Sequence, residues 1–219
     1  MSETGGHIVL LLDGESPSVR LAEYAAANAI YIAATDGAAR TAKQLKLPLH
    51  LIIGDLDSID HEAREHFSST RIITVADQYS NDFEKALHYI LEQEVGDDLL
   101  ILGMHGRRTD HTLTNLSVLV RFRDRFRSLR ILDDHQEHRL LTKRYPALHL
   151  SQSNGSIISL TPLPHALGVT TNGLYYPITR AEMRFGQQEG LSNYVDGHEG
   201  AHVSITEGAL LVSMPYTNF

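Results

Sequence analysis

The sequence predicts an α/β N-terminal domain with a mostly parallel sheet, followed by an all-β, sandwich-like C-terminal domain. Up to about Asp133, short apolar runs alternate with amphipathic stretches, which is the pattern of βαβ crossovers. Beyond it the chain turns to short β-rich segments punctuated by Gly, Pro and Asn, with no long helical period. The predicted domains are residues 1–133 and 134–219. Charged residues cluster after predicted strands at Asp36, Asp55/Asp57, Asp77/Asp82 and Arg108/Asp110. The ends of parallel strands share one edge, and open α/β sheets bind ligands there. Residues kept only for structure have no reason to gather at that edge, so an active site is expected along it.

The elements follow in order. His7 to Leu12 reads as a first strand, and Asp13-Gly14 ends it. Ser16-Pro17 predicts an N-cap followed by Pro at the first helical position, with the helix running to about Ala29. Ile30 to Ala34 is a second strand, a short helix runs to Leu45, and the run before Gly54 is a third strand. A brief helix over 62–67, a strand over 71–75 and an amphipathic helix over 83–94 come next. That helix places Phe83, Ala86, Leu87 and Ile90 on one side. Residues 99–102 form a fifth strand, a helix runs from about Thr112 to Phe122, and 130–132 form a sixth strand. The second domain is predicted to contain strands over 138–142, 156–160, 169–172, 174–176, 202–205 and 210–213.

Composition bounds the function. At 219 residues, 42% hydrophobic and 21% charged, the chain is ordinary globular material with enough length for a core. A net charge of −8 argues against a general nucleic-acid-binding surface, so any polyanion must be met locally. Cysteine is absent, which removes disulfides, thiolate zinc sites and cysteine nucleophiles. With no basic n-region ahead of a long apolar run, and no apolar run of spanning length, a cytoplasmic protein without membrane association is expected.

The chemistry centres on Leu49-His50-Leu51-Ile52-Ile53-Gly54-Asp55-Leu56-Asp57-Ser58. In an extended backbone, residues two apart point to the same side, so Asp55 and Asp57 are expected to aim together beyond the strand. Paired carboxylates repel unless a cation lies between them, and Mg²⁺ takes one or two carboxylates while sharing substrate phosphates. The same residues are also good turn and N-cap chemistry ahead of a helix near Ile59. Walker and dinucleotide fingerprints are absent, as is a G-x-S-x-G elbow. Carboxylates for a metal and Arg108 for phosphate, set in glycine-rich turns, suit phosphoryl or nucleotidyl transfer.

Several motifs resemble, in order, those of the thiamin pyrophosphokinase (thiamin diphosphokinase) family. They are Thr35-Asp36-Gly37-Ala38-Ala39, Ile53 to Ile59, Asn81-Asp82-Phe83-Glu84-Lys85-Ala86-Leu87 and Gly103 to Asn115. Thr170 to Pro177 and Gly190-Leu191-Ser192-Asn193 resemble that family's second-domain motifs. The resemblance implies transfer of pyrophosphate from ATP to the thiamin hydroxyl with Mg²⁺, giving thiamin diphosphate and AMP, by a homodimer whose active-site clefts are shared between subunits. It implies Asp55, Asp57 and Asp82 as metal ligands, and these three with Arg108 and Asp110 as the catalytic set. Asp36, Gln78, Asn81, Arg108, His111 and Asn115 are implied to position nucleotide or phosphates, and Tyr176, Ser192 and Asn193 to serve the thiamin side.

Two positions depart from the family pattern. Arg107 stands where a second glycine is common, which leaves open whether Arg107 or Arg108 faces phosphate. Asn81 stands where threonine is common. Rival readings are a pyrophosphokinase of the same scaffold acting on another alcohol such as a pterin, a non-catalytic ATP- or thiamin-binding module, and a phosphohydrolase.

Overall fold

The computed structural model describes residues 6–77 and 79–216. They fall into two compact units divided between Arg125 and Phe126. The strand Ser128–Leu132 counts with the second unit, ahead of the change in sequence pattern near Asp133, because it pairs antiparallel with the strand that follows it. Among the described residues, no helix is long and apolar enough to cross a membrane.

The first unit is built on five parallel strands: β1 (His7–Leu11), β2 (Ala29–Thr35), β3 (Leu51–Gly54), β4 (Arg71–Thr74) and β5 (Asp98–Leu102). Their order is β4-β3-β2-β1-β5, with β1 central. Helices α1 (Val19–Ala27), α2 (Ala39–Gln44), α3 (His61–His66) and α4 (Asp82–Glu92) make the crossovers, and α5 (Thr109–Phe122) follows β5. Leu51, Ile52 and Ile53 and residues 8–11 and 99–102 are almost wholly buried. Strands covered on both faces need such continuous apolar runs rather than alternation. Each buried Leu or Ile contributes about 1.5–3 kcal/mol, which gives the sheet a rigid edge on which to carry polar groups.

Helix starts follow their caps. Asn81 caps α4 by accepting the Glu84 N–H at 2.9 Å, and Asp60 caps α3 by accepting the Ala63 N–H at 2.7 Å. Helix α1 starts two residues later than the Ser16-Pro17 reading places it. The Ser18 hydroxyl, rather than Ser16, accepts the Leu21 N–H at 3.2 Å and leaves Pro17 ahead of the cap.

The second unit contains β6 (Ser128–Leu132), β7 (Glu137–Leu141), β8 (Ala147–Leu150), β9 (Ile157–Asn172), β10 (Ala181–Arg184), β11 (Gly190–Tyr194), β12 (Ala201–Ser204) and β13 (Glu207–Met214). The strands run antiparallel in the order β6-β7-β13-β9, with β10 and β11 also on β9. The end of β9 pairs with β12, which pairs with β8. One core joins both groups: Leu148, Leu150 and Val203 pack with Ile158, Leu160, Leu210 and Val212. The predicted strands over 156–160 and 169–172 are thus one sixteen-residue strand. Pro162 and Pro164 disguise it in the sequence. A register shift between Gly208 and Leu210 of β13 absorbs the irregular stretch. Of the strand predicted over 174–176, only a bridge from Leu174 to Val195 forms.

Candidate active site

The chain moves outward from β1 through β2, β3 and β4, then returns through α4 to the other side of β1 at β5. The reversal creates a crevice beyond the carboxyl ends of the strands, where doubly wound sheets hold ligands. A cleft of about 330 Å³ lies at this edge. It is lined after β1 by Asp13 and Gly14, after β2 by Asp36, before and in α4 by Asn81 and Asp82, and after β5 by Arg107, Arg108, His111 and Asn115. The loops after β1 and β5 are joined by the N–H of Gly14 donating to Gly103 O at 2.9 Å and that of Glu15 donating to His105 O at 2.7 Å. A Cβ on Gly14 would lie 2.2 Å from Gly103 O, so the close approach requires glycine.

Asp36 is the most buried carboxylate of the cleft, at 2% exposure. Its Oδ1 accepts the Gly37 N–H at 2.7 Å and its Oδ2 accepts the Leu56 N–H at 2.8 Å. Burial pushes the carboxyl above the ordinary range and the charge of Asp82 pushes the same way, against the two backbone donors. Gly54 makes room for it: a Cβ there would lie 2.4 Å from Asp36 Cγ.

Carboxylate oxygens of Asp36, Asp55 and Asp57 come within 4.8 Å of one another. Asp55 and Asp57 converge by a different geometry from the one expected. Strand β3 ends at Gly54, Leu56 adopts a left-handed φ of 67°, and the Asp57 N–H donates to Asp55 Oδ1 at 3.2 Å. A tight turn, rather than strand alternation, puts them side by side. That N–H holds the Asp55 carboxyl below its ordinary value.

Asp82, expected with Asp55 and Asp57, lines the cleft but is engaged by Lys85, whose Nζ donates to its Oδ1 at 3.0 Å. Lys85 lies on the buried side of α4 with its side chain only 4% exposed. The third member of the close carboxylate set is Asp36, which the sequence places with the nucleotide-binding residues.

Asn81 and Asn115 serve the framework as well as lining the cleft. Asn81 Nδ2 donates to Asn115 Oδ1 at 3.3 Å, and Asn115 Nδ2 donates to Met104 O at 3.3 Å. Arg108 donates through Nε and Nη2 to the two oxygens of Asp110, at 3.1 and 2.5 Å, and this holds the Asp110 carboxyl below its ordinary range. His111 and Asn115, one turn apart on α5, face the same cleft. The N-terminus of that fourteen-residue helix adds a positive partial charge. Gln78 lies outside the described residues.

In the second unit, Tyr176, Ser192 and Asn193 gather at one place. Asn193 is 4% exposed. Its Oδ1 accepts the Tyr176 N–H at 3.1 Å and its Nδ2 donates to Tyr176 O at 2.8 Å, so it fixes the tyrosine's backbone. Ser192 is exposed at a left-handed φ of 57°, with its N–H donating to Ser159 Oγ at 3.1 Å. Tyr176 is 61% exposed and sits edge-on to Tyr175, which stacks on Tyr194 at 4.7 Å.

Sequence reasoning passes over Asp13, Lys85, Tyr175 and Tyr194. Asp13 carries the same signal as the other strand-end acids, and Lys85 stands one helical turn from Asp82. The tyrosines leave no periodic trace.

Two family models match the chain, one described as thiamin pyrophosphokinase, catalytic domain, over residues 22–132, and one as thiamin pyrophosphokinase, vitamin B1 binding domain, over residues 137–210. Thiamine pyrophosphokinase 1 of Arabidopsis thaliana is 34% identical over 157 residues, covering 66% of this chain and 58% of the relative. Its namesake in Oryza sativa subsp. japonica is 31% identical, covering 67% and 59%. The match therefore spans less than two thirds of those relatives' own length. Thiamin pyrophosphokinase 1 of Caenorhabditis elegans is 25% identical over 206 residues, covering 89% of this chain and 84% of the relative. Among solved structures, thiamin pyrophosphokinase from Candida albicans superposes with a TM-score of 0.80 at 19% identity, covering 96% of this chain and 89% of the other. That from Bacillus subtilis gives 0.77 at 21%, covering 97% and 100%. The two superpositions agree with the α/β-then-β architecture.

Proposed function

The chain belongs to the thiamin pyrophosphokinase family, and from that premise we propose that it transfers pyrophosphate from ATP to the thiamin hydroxyl, giving thiamin diphosphate and AMP. The observation that carries the reading is the cleft itself. Asp13, Asp36 and Asp82 line one crevice with two arginines at the point where the strand order reverses, and Asp36 links that crevice to the adjoining Asp55 and Asp57. Transfer of this kind depends on positioning and on charge neutralisation more than on covalent help from the protein.

The donor set fits Mg²⁺: hard carboxylate oxygens from Asp36, Asp55 and Asp57 lie within 4.8 Å of one another, and Asp36 is buried beside a further negative charge. Asp36, Asp55 and Asp57 would hold the ion, with Asp82 adjoining. When bound, it supplies positive charge to the phosphate oxygens. The arginines and the N-terminus of α5 receive the polyphosphate from the other side. The thiamin hydroxyl oxygen forms its new bond to the β-phosphorus as its proton passes to solvent, the bond from that phosphorus to the oxygen shared with the α-phosphorus breaks, and AMP leaves with that electron pair. Asp110, held ionised by Arg108, serves as that arginine's positioning partner.

The reading extends to a cytoplasmic homodimer in which Tyr176, Ser192 and Asn193 serve the thiamin side. Tyr176 offers a ring face to the cationic thiazolium. Mixing an inactive Asp55→Asn chain with an inactive Ser192→Ala chain should then restore part of the activity, and no rescue would remove the shared cleft. The experiment for the function itself incubates purified protein with ATP, Mg²⁺ and thiamin and reads AMP and thiamin diphosphate together. Both products in equal amounts support the reading. ATP binding without AMP would make the chain a sensor, phosphate release without thiamin would make it a phosphohydrolase, and AMP formation only with another alcohol such as a pterin would reassign the substrate.

A further inference from the structure

The two neighbouring arginines of the cleft are held in different ways. Arg108 gives the Nε–Nη2 edge of its fork to the two oxygens of Asp110. Arg107 gives Nη1 alone, donating to Asp13 Oδ1 at 2.7 Å; among the described residues, its Nε and Nη2 meet no protein acceptor. Asp13 follows β1 and Arg107 follows β5, so the pair bridges the two loops at the strand-order reversal, and both residues line the cleft. The Asp13 carboxylate sits close against Gly37, where an added Cβ would lie 3.0 Å from its Oδ2.

The backbone adds an independent observation. Arg107 has a φ of 50°, in the left-handed region that disfavours side-chain-bearing residues. The same loop uses glycine at two other left-handed positions, Gly103 and Gly106. An arginine at such a position is strained where glycine would be relaxed, and strain of this kind concentrates at functional sites. A bare surface ion pair contributes too little to explain it. A guanidinium with unused donors, sharing one cleft with Asp36 of the carboxylate cluster, is placed to meet an anion held between them.

We propose that Arg107, positioned by Asp13, is the arginine that grips the polyphosphate of the nucleoside triphosphate, while Arg108 stays with Asp110. The proposal rests on the triphosphate-binding reading given above and adds the residue that holds the phosphates. The planar fork can give two parallel charge-assisted bonds to one phosphate, which a lysine cannot.

The test measures binding of ATP with Mg²⁺, and of inorganic tripolyphosphate with Mg²⁺, by titration calorimetry. Arg107→Gly should weaken both by about tenfold or more, the scale of losing one bidentate charged pair. Its melting temperature should hold or rise, because glycine relaxes the backbone. Arg108→Gln should weaken both less than Arg107→Gly does. Asp13→Asn should weaken both to a smaller extent, and should have no further effect in the Arg107→Gly background, because positioning without the positioned group does nothing. Binding of both probes to Arg107→Gly at wild-type strength, or a larger loss in Arg108→Gln, overturns the proposal. Additive losses in the double variant overturn the part given to Asp13. Failure of the wild type to make AMP while it still binds ATP would sink the activity and leave this assignment standing; product formation with an indifferent Arg107→Gly would do the reverse.

Discussion

Replacing Gly54 by alanine should damage the first unit and the cleft together, although the change adds one methyl group. The new Cβ would lie 2.4 Å from Asp36 Cγ and 2.7 Å from each of its oxygens. Asp36 cannot yield cheaply, because it is 2% exposed and both oxygens hold backbone N–H groups, at 2.7 and 2.8 Å. Hydrogen bonds to a charged group contribute about 1.5 kcal/mol or more each, so displacing the carboxylate costs about 3 kcal/mol. Reduced freedom of the unfolded chain offsets this by about 0.5 kcal/mol. The remainder corresponds to a fall of about 5–10 °C in melting temperature for a chain of this size. Thermal unfolding without divalent cations, Mn²⁺ binding and turnover should all be measured. Combining Gly54→Ala with Asp36→Ser removes the obstructing carboxylate, so melting should recover while turnover does not. A Gly54→Ala protein that melts and turns over like the wild type would refute the idea that this glycine exists to admit Asp36.

Three further outcomes follow from the same geometry. Asp55→Asn and Asp57→Asn should each abolish turnover while leaving the circular dichroism spectrum and melting unchanged, because both side chains lie on a surface turn; normal activity in either would remove it from the metal set. Lys85→Met keeps the buried stem but leaves Asp82 without its cation, so turnover should fall about tenfold with a loss of about 1 kcal/mol in stability, Asp82 being open enough to hydrate; wild-type kinetics would show the ion pair to be incidental. In the second unit, burial alone would raise the Asp133 carboxyl, but hydrogen bonds from His138 and the N–H groups of His135 and Gln136 outweigh it and bring it down to about 2. A lowered carboxyl stabilises the fold above its unfolded value of 3.8 and loses that contribution as pH falls toward about 2. Asp133→Asn should therefore lower the melting temperature at pH 7, with the gap to wild type closing across that acid window; a gap independent of pH would place the effect elsewhere.

Much of the fold is readable from the sequence because its signals are local. Apolar runs separated by caps mark β1 to β5 and α1 to α5 to within a few residues, and the change of pattern near Asp133 marks the antiparallel unit. The misreadings come where distant pairing overrides local chemistry. Pro162 and Pro164 read as breaks, yet β9 runs through them because β13 shifts register opposite. Helix α5 begins at Thr109, three residues before the apolar pattern does, since polar residues fill its first turn. The short strands Ala147–Leu150, Ala181–Arg184 and Gly190–Tyr194 lack enough length for alternation to show.

The cleft shows the same divide more sharply. Asp55 and Asp57 come together as the sequence suggests, but through a left-handed Leu56 that no alternation rule anticipates. The partner they gain, Asp36, lies nineteen residues before Asp55. Its approach nevertheless leaves a trace in the sequence. In the parallel pairing of β2 and β3, Thr35 stands opposite Ile53, so the next residue of each strand, Asp36 and Gly54, must also meet. An acid leaving one strand and a glycine ending its neighbour are two halves of one contact: the carboxylate needs the space that the missing side chain provides. Given the strand order, that pairing identifies the buried carboxylate of the cluster before any distance is measured. The hidden information was the register, which is set by the whole sheet and by no single segment of it.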